Sequence, residues 1–178
     1  MEYTSVQKLA RVLRVLVIIV FVCNLIALLF VPGFSGYLAD GGGEIIISAI
    51  PIYCIFAFFG VWFIPYTAML TLFLWLCGIC TAIILWQGKR VLESIIVGDA
   101  FSLSNAVCLR KAAVCSFVIS AASLLWVVFQ AVMNGILTLF SLSSLLVPIF
   151  FLAALLFLIM SALFRQAAEI KAENDLTI

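Results

Sequence analysis

The chain has 178 residues, 67% hydrophobic and 10% charged, with a net charge of +1 and no histidine. Soluble domains carry roughly 45 to 50% apolar and about 25% charged residues, so too little polar sequence remains to coat a water-exposed globule. The near-zero charge leaves no dense basic surface for direct nucleic-acid binding.

The nine basic residues fall in three clusters, Lys8/Arg11/Arg14, Lys89/Arg90/Arg110/Lys111 and Arg165/Lys171, and the long stretches between them contain none. Such clusters mark the segments of a polytopic membrane protein that stay on the cytoplasmic side. Four spans place all nine inside, whereas a fifth span would strand three of them outside. The expected fold is therefore all-α integral membrane: a four-helix transmembrane bundle forming one domain over 1–178, with both termini cytoplasmic.

In chain order, the first span covers about 13–32 and is read as retained, because Pro32-Gly33-Phe34-Ser35-Gly36 offers no small-x-small cleavage site. Residues 33–63 form the outer segment, which opens with Gly33, Gly36 and Gly41-Gly42-Gly43 and carries Asp40 and Glu44. Its part from Ile45 to Phe63 is too apolar to lie in water and is expected to be re-entrant, interfacial or an extension of the second span. Lipid-exposed irregular backbone is excluded because its amides would lack partners.

The second span covers about 64–87 and leads into a cytoplasmic hairpin, 88–111. Val91, Leu92, Ile95 and Ile96 have helical spacing. The helix is thus predicted to run past the membrane to Gly98, a natural C-terminal stop. Asp99 and Ser102 are turn and N-cap residues, and a new helix starts near Leu103. The shape is helix-turn-helix, but its two basic pairs at the membrane edge fit phospholipid headgroups better than DNA. The third and fourth spans cover about 112–133 and 143–164. The tail, 165–178, carries Glu169, Glu173 and Asp175 opposite the hairpin's four basic residues. It either folds under the bundle through those charges and Leu176 and Ile178, or frays.

Within the spans, Gly78 and Ala82 on the second and Ala112, Ser116 and Ser120 on the third form small-xxx-small rows. These rows are the candidate faces for close packing between the two helices. Asn24 lies near the bilayer centre, and Gln130 and Asn134 near the outer end of the third span. Asn24 and Gln130 are the candidates for intramembrane polar contact, either an interhelical hydrogen bond worth about 0.6 kcal/mol or a ligand contact in a cavity.

Chemistry is sparse. No span contains Asp, Glu, Lys, Arg or His, which removes the groups that proton relays, ion-coupled carriers and voltage sensors use. Cys77 and Cys80 form a CxxC on one helical face, but redox motifs need solvent access and structural zinc needs four ligands. Packing is the favoured reading for this pair. Cys23 and Cys115 also lie in apolar runs and Cys108 in the cytoplasmic segment, so a disulfide framework is not expected; Cys54 alone is placed to face outward. No nucleophile, base and metal set is available. The chain is read as non-enzymatic, with no catalytic residue, cofactor or metal.

Gly98-Asp-Ala-Phe101-Ser102, Asn105 and Leu109-Arg110, together with the closing Glu173-Asn-Asp175-Leu176-Thr177-Ile178, resemble the bacterial family catalogued as domain of unknown function 2975. The resemblance extends over the whole length and implies four spans with a short cytoplasmic end. It carries no activity, but members are often encoded beside a small helix-turn-helix transcriptional regulator, which implies a regulatory partnership. The reading that follows is a regulatory bacterial plasma-membrane protein. It would bind or sequester such a regulator on a surface formed by Phe101, Asn105, Arg110, Asp175, Leu176 and Ile178. The alternatives are a homo-oligomeric transport or channel protomer and an envelope-stress or self-immunity protein acting through the outer segment.

Overall fold

A computed structural model of the chain describes residues 5–39, 61–99, 101–135 and 142–175. They form four long helices: α1 (Ser5–Ala39), α2 (Pro65–Val97), α3 (Leu103–Asn134) and α4 (Leu142–Asp175). A single 3-10 turn, Val61–Phe63, precedes α2. All four helices are long and apolar enough to cross a membrane, and among the described residues there is no strand. The protein is an all-α, multi-pass membrane protein. Apart from the 3-10 turn, the apolar outer segment lies outside the described residues, as do Cys54, Leu176 and Ile178.

Packing follows chain order. Helix α1 packs on α2, α2 on α3 and α3 on α4, while α1 and α4 meet marginally at most. The outer helices consequently present most of their apolar surface outward, and α3 is the most buried. Lipid tails are as apolar as leucine, so an outward leucine in a membrane carries no penalty, and helix contacts depend on close fit and polar links.

The α1–α2 seam has a seven-residue repeat. Gln7 donates to the Ile96 carbonyl at 3.4 Å, Arg14 pairs with Glu93 at 3.0 Å, and Phe21 packs on Trp86 with centroids 5.8 Å apart. Leu28 lies over Gly78, and Ser35 Oγ is 2.6 Å from Thr71 Oγ1. A spacing of seven keeps one face of a slightly supercoiled helix on its partner.

Helix α1 continues to Ala39, beyond the expected end at 32, and Gly33 lies inside it rather than opening a loop. Pro32 has no N–H for the carbonyl of Leu28, four residues earlier. The Trp75 indole of α2 donates to that carbonyl at 3.1 Å. Ser35 Oγ donates to the Pro32 carbonyl at 2.9 Å. A tertiary donor, the Trp75 indole, thus satisfies the Leu28 carbonyl that the proline would orphan, and the helix passes through it.

Two members of the predicted Gly78/Ala82 to Ala112/Ser116/Ser120 contact, Gly78 and Ser120, meet other helices. A Cβ added at Gly78 would meet Leu28 of α1, and Ser120 Oγ donates at 3.0 Å to the Val147 carbonyl of α4. Ala112 and Ser116 are buried, with Ser116 Oγ bonded to the Ala112 carbonyl of its own helix. Small-residue spacing identifies a contact face but not the neighbour that fills it. The α2–α3 contact is instead built on rings: Tyr66 against Trp126 and Phe129, and Phe73 stacked on Trp126 at 5.3 Å.

Candidate docking surface at the α2–α3 turn

Helix α2 ends where Gly98 takes a left-handed conformation, φ 93°, which glycine adopts without a Cβ penalty. The Gly98 N–H bonds the Ile95 carbonyl and the Asp99 N–H the Ser94 carbonyl, each at 3.1 Å. Ser102 caps α3 by accepting from the Asn105 N–H at 3.4 Å. The predicted stop, cap and helix start therefore stand at the expected residues.

Asn105 closes the turn from within. It is buried, and its Nδ2 donates to Ser94 Oγ at 2.9 Å and toward the Asp99 carbonyl at 3.5 Å. Ser94 Oγ in turn donates to the Asp99 carbonyl. Asn105, expected on the docking surface, is thus buried, with its amide nitrogen directed into the turn.

The other helices converge on this turn. Lys171 of α4 pairs with Asp99 at 3.0 Å, and Phe101 packs on Phe164 of α4 with centroids 5.6 Å apart. Helix α1 adds the Gln7 and Arg14 links, and Lys89 approaches Glu93 at 3.7 Å while sitting 4.9 Å over the Trp86 ring. Surface pairs of this kind contribute about 0.2 to 1 kcal/mol each, so their number matters more than any one of them.

One link of the tail to the turn has the opposite sense from the expectation, the cation Lys171 on the anion Asp99, and Glu169 pairs at 2.9 Å with Arg165 of its own helix. Helix α4 simply continues through Asp175, so residues 165–175 extend the helix and do not fold back beneath the bundle. Arg165 and Glu169 are four apart, a spacing that adds a small contribution to the helix.

Of the remaining candidates, Phe101 is half exposed despite its contact with Phe164, and Arg110 is exposed on α3. Asp175 ends α4, and its side chain lies outside the described residues, as does that of Asn134. Exposed Val97 and Leu103 flank Phe101.

Asn24 and Gln130 are not brought together. Gln130 Nε2 is 3.5 Å from the Tyr66 hydroxyl, while the α1 register sets Asn24 level with Ala82 and Ile83. About 16 residues of α2, or ~25 Å, separate those levels. Asn24 Oδ1 is buried without a hydrogen-bond partner. Cys23, Cys77, Cys80, Cys108 and Cys115 are free thiols, and among the described residues no group of three or more metal-ligating side chains is gathered.

A family model described as "Protein of unknown function (DUF2975)" matches residues 9–178, nearly the whole chain including the turn. The chain belongs to that family. No curated protein and no solved structure shows significant similarity to it. Among the described residues of this DUF2975 chain, α1 makes polar contacts with the last turns of α2, and α4 makes polar and aromatic contacts with the turn that follows.

Proposed function

We propose that this DUF2975 protein is a non-enzymatic regulatory component of the bacterial plasma membrane. It would hold a small cytoplasmic helix-turn-helix regulator on the α2–α3 turn. One observation carries the reading: Val97, Phe101 and Leu103 expose apolar side chains around a turn fixed by the Ser94–Asp99–Asn105 hydrogen bonds. Apolar anchors on a preorganised frame dominate docking surfaces, because little ordering entropy opposes binding. The clustering of all nine basic residues at this end of the bundle supports its cytoplasmic placement.

The test is capture, by tagged protein in detergent, of a small helix-turn-helix regulator encoded in the neighbourhood of the gene, once that neighbourhood has been sequenced. Phe101→Ala combined with Val97→Ala is expected to weaken capture by tenfold or more, since a central anchor contributes about 2 kcal/mol. Arg165→Gln is expected to leave it unchanged. Full capture by the double variant would exclude the turn as the docking surface.

A transport reading draws on a different observation, the unpartnered Asn24 Oδ1. In that case Asn24→Leu would abolish a solute flux in proteoliposomes while leaving regulator capture intact.

A further inference from the structure

At the turn end the carboxylates do not serve every cation. Glu93 is taken by Arg14 and Lys89, Asp99 by Lys171, and Glu169 by Arg165. Arg90, Arg110 and Lys111 are exposed and have no anionic partner among the described residues.

Their placement is regular. Arg90 ends a stripe of exposed apolar side chains on α2, Leu72, Ile79, Ile83 and Trp86. On α3, Arg110 and Lys111 begin a stripe that continues through Val114, Val118 and Leu125. The contacts of Tyr66 with Gln130 and of Phe73 with Trp126 set the antiparallel register. That register puts Arg110 and Lys111 level with Trp86 to Lys89. Each helix therefore offers an apolar track that ends in unpaired positive charge, beside a half-exposed tryptophan of the kind found at headgroup depth.

We propose that Arg90, Arg110 and Lys111 form a binding site for the phosphate headgroups of anionic phospholipids, whose acyl chains lie along the two stripes. Charge alone would suit any soluble phosphate, but the continuity of cation and apolar track fits an amphipathic ligand. A basic residue near an anionic leaflet favours it by about 1 kcal/mol, roughly a fivefold preference. Three together make a selective site within an otherwise indifferent lipid annulus. The site lies on the lipid-facing surface and is distinct from the Val97–Phe101–Leu103 patch proposed for the regulator.

The experiment uses the full chain in nanodiscs of phosphatidylcholine and phosphatidylglycerol, with retained lipids counted by native mass spectrometry. Wild type is expected to retain phosphatidylglycerol several-fold above its bulk share, and raising the salt concentration should reduce the excess. R90Q/R110Q/K111Q should return retention to the bulk ratio. R90K/R110K, which keeps the charge, and R165Q/K171Q, which removes paired cations, should behave as wild type. Equal enrichment in the triple variant would overturn the proposal, as would loss of enrichment in R165Q/K171Q. Displacement of the lipid by millimolar inorganic phosphate would overturn it too, by assigning the cations to a soluble anion.

Discussion

Trp75, Gly78 and Leu28 show how single residues join α1 to α2. One leucine offers its backbone carbonyl to the Trp75 indole and its side chain to the surface of Gly78. Trp75→Phe keeps the ring but removes the donor, leaving the Leu28 carbonyl unpaired beside Pro32. It is expected to cost about 1 kcal/mol, read as a lower thermal midpoint in detergent. Gly78→Leu must displace Leu28 and is expected to cost about 1 to 3 kcal/mol through overpacking. Gly88→Ala, where an added Cβ meets nothing, is the control. Asn105→Ala leaves Ser94 Oγ without its amide donor. It should raise amide exchange across 94–105 while leaving exchange at Ser120 to Val127 unchanged.

At the scale of elements, local signals were legible and tertiary ones were not. Gly98 and Ser102 stop and start helices through their own backbone and side chains, so the turn could be read residue by residue. Pro32, Gly33 and Gly36 carry the same kind of punctuation, yet the helix continues, because the Trp75 indole reaches the Leu28 carbonyl that Pro32 leaves without a donor. Nothing near Pro32 in sequence announces a tryptophan 43 positions away. The repeat Gln7, Arg14, Phe21, Leu28, Ser35 was available in the sequence, but its mixed chemistry hides it from a search for apolar periodicity. Its Ser35–Thr71 end makes a direct prediction. A Ser35→Cys/Thr71→Cys pair, in a background lacking native cysteines, should oxidise to an intramolecular disulfide, whereas Phe34→Cys/Thr71→Cys should not. Phe34 is exposed while Ser35 is fully buried on the seam.

For the whole molecule, serial packing leaves α1 and α4 as the two ends of a row joined chiefly through the inner helices and the turn. The ion pairs of Glu93 and Asp99 tie those outer helices to the turn. Replacing both acids with their amides is expected to loosen α1 and α4 together, seen as higher exchange near Arg14 and Lys171 with α3 still protected. Sidedness belongs to this scale as well. Single cysteines at Ser5 and Ser104, in a background lacking native cysteines, should resist an impermeant thiol reagent in intact cells and react after lysis. One at Met133, at the opposite end of the row, should react from outside.

The regulatory reading stands or falls on what touches the turn in a living cell. A photocrosslinking amino acid placed at Phe101, and separately at Phe34 and Met133 of the opposite end, measures this directly. The predicted result is one adduct from Phe101 with a small soluble regulator and none from the other two positions. Adducts confined to Phe34 or Met133, with none at Phe101 when the regulator is present, would contradict it.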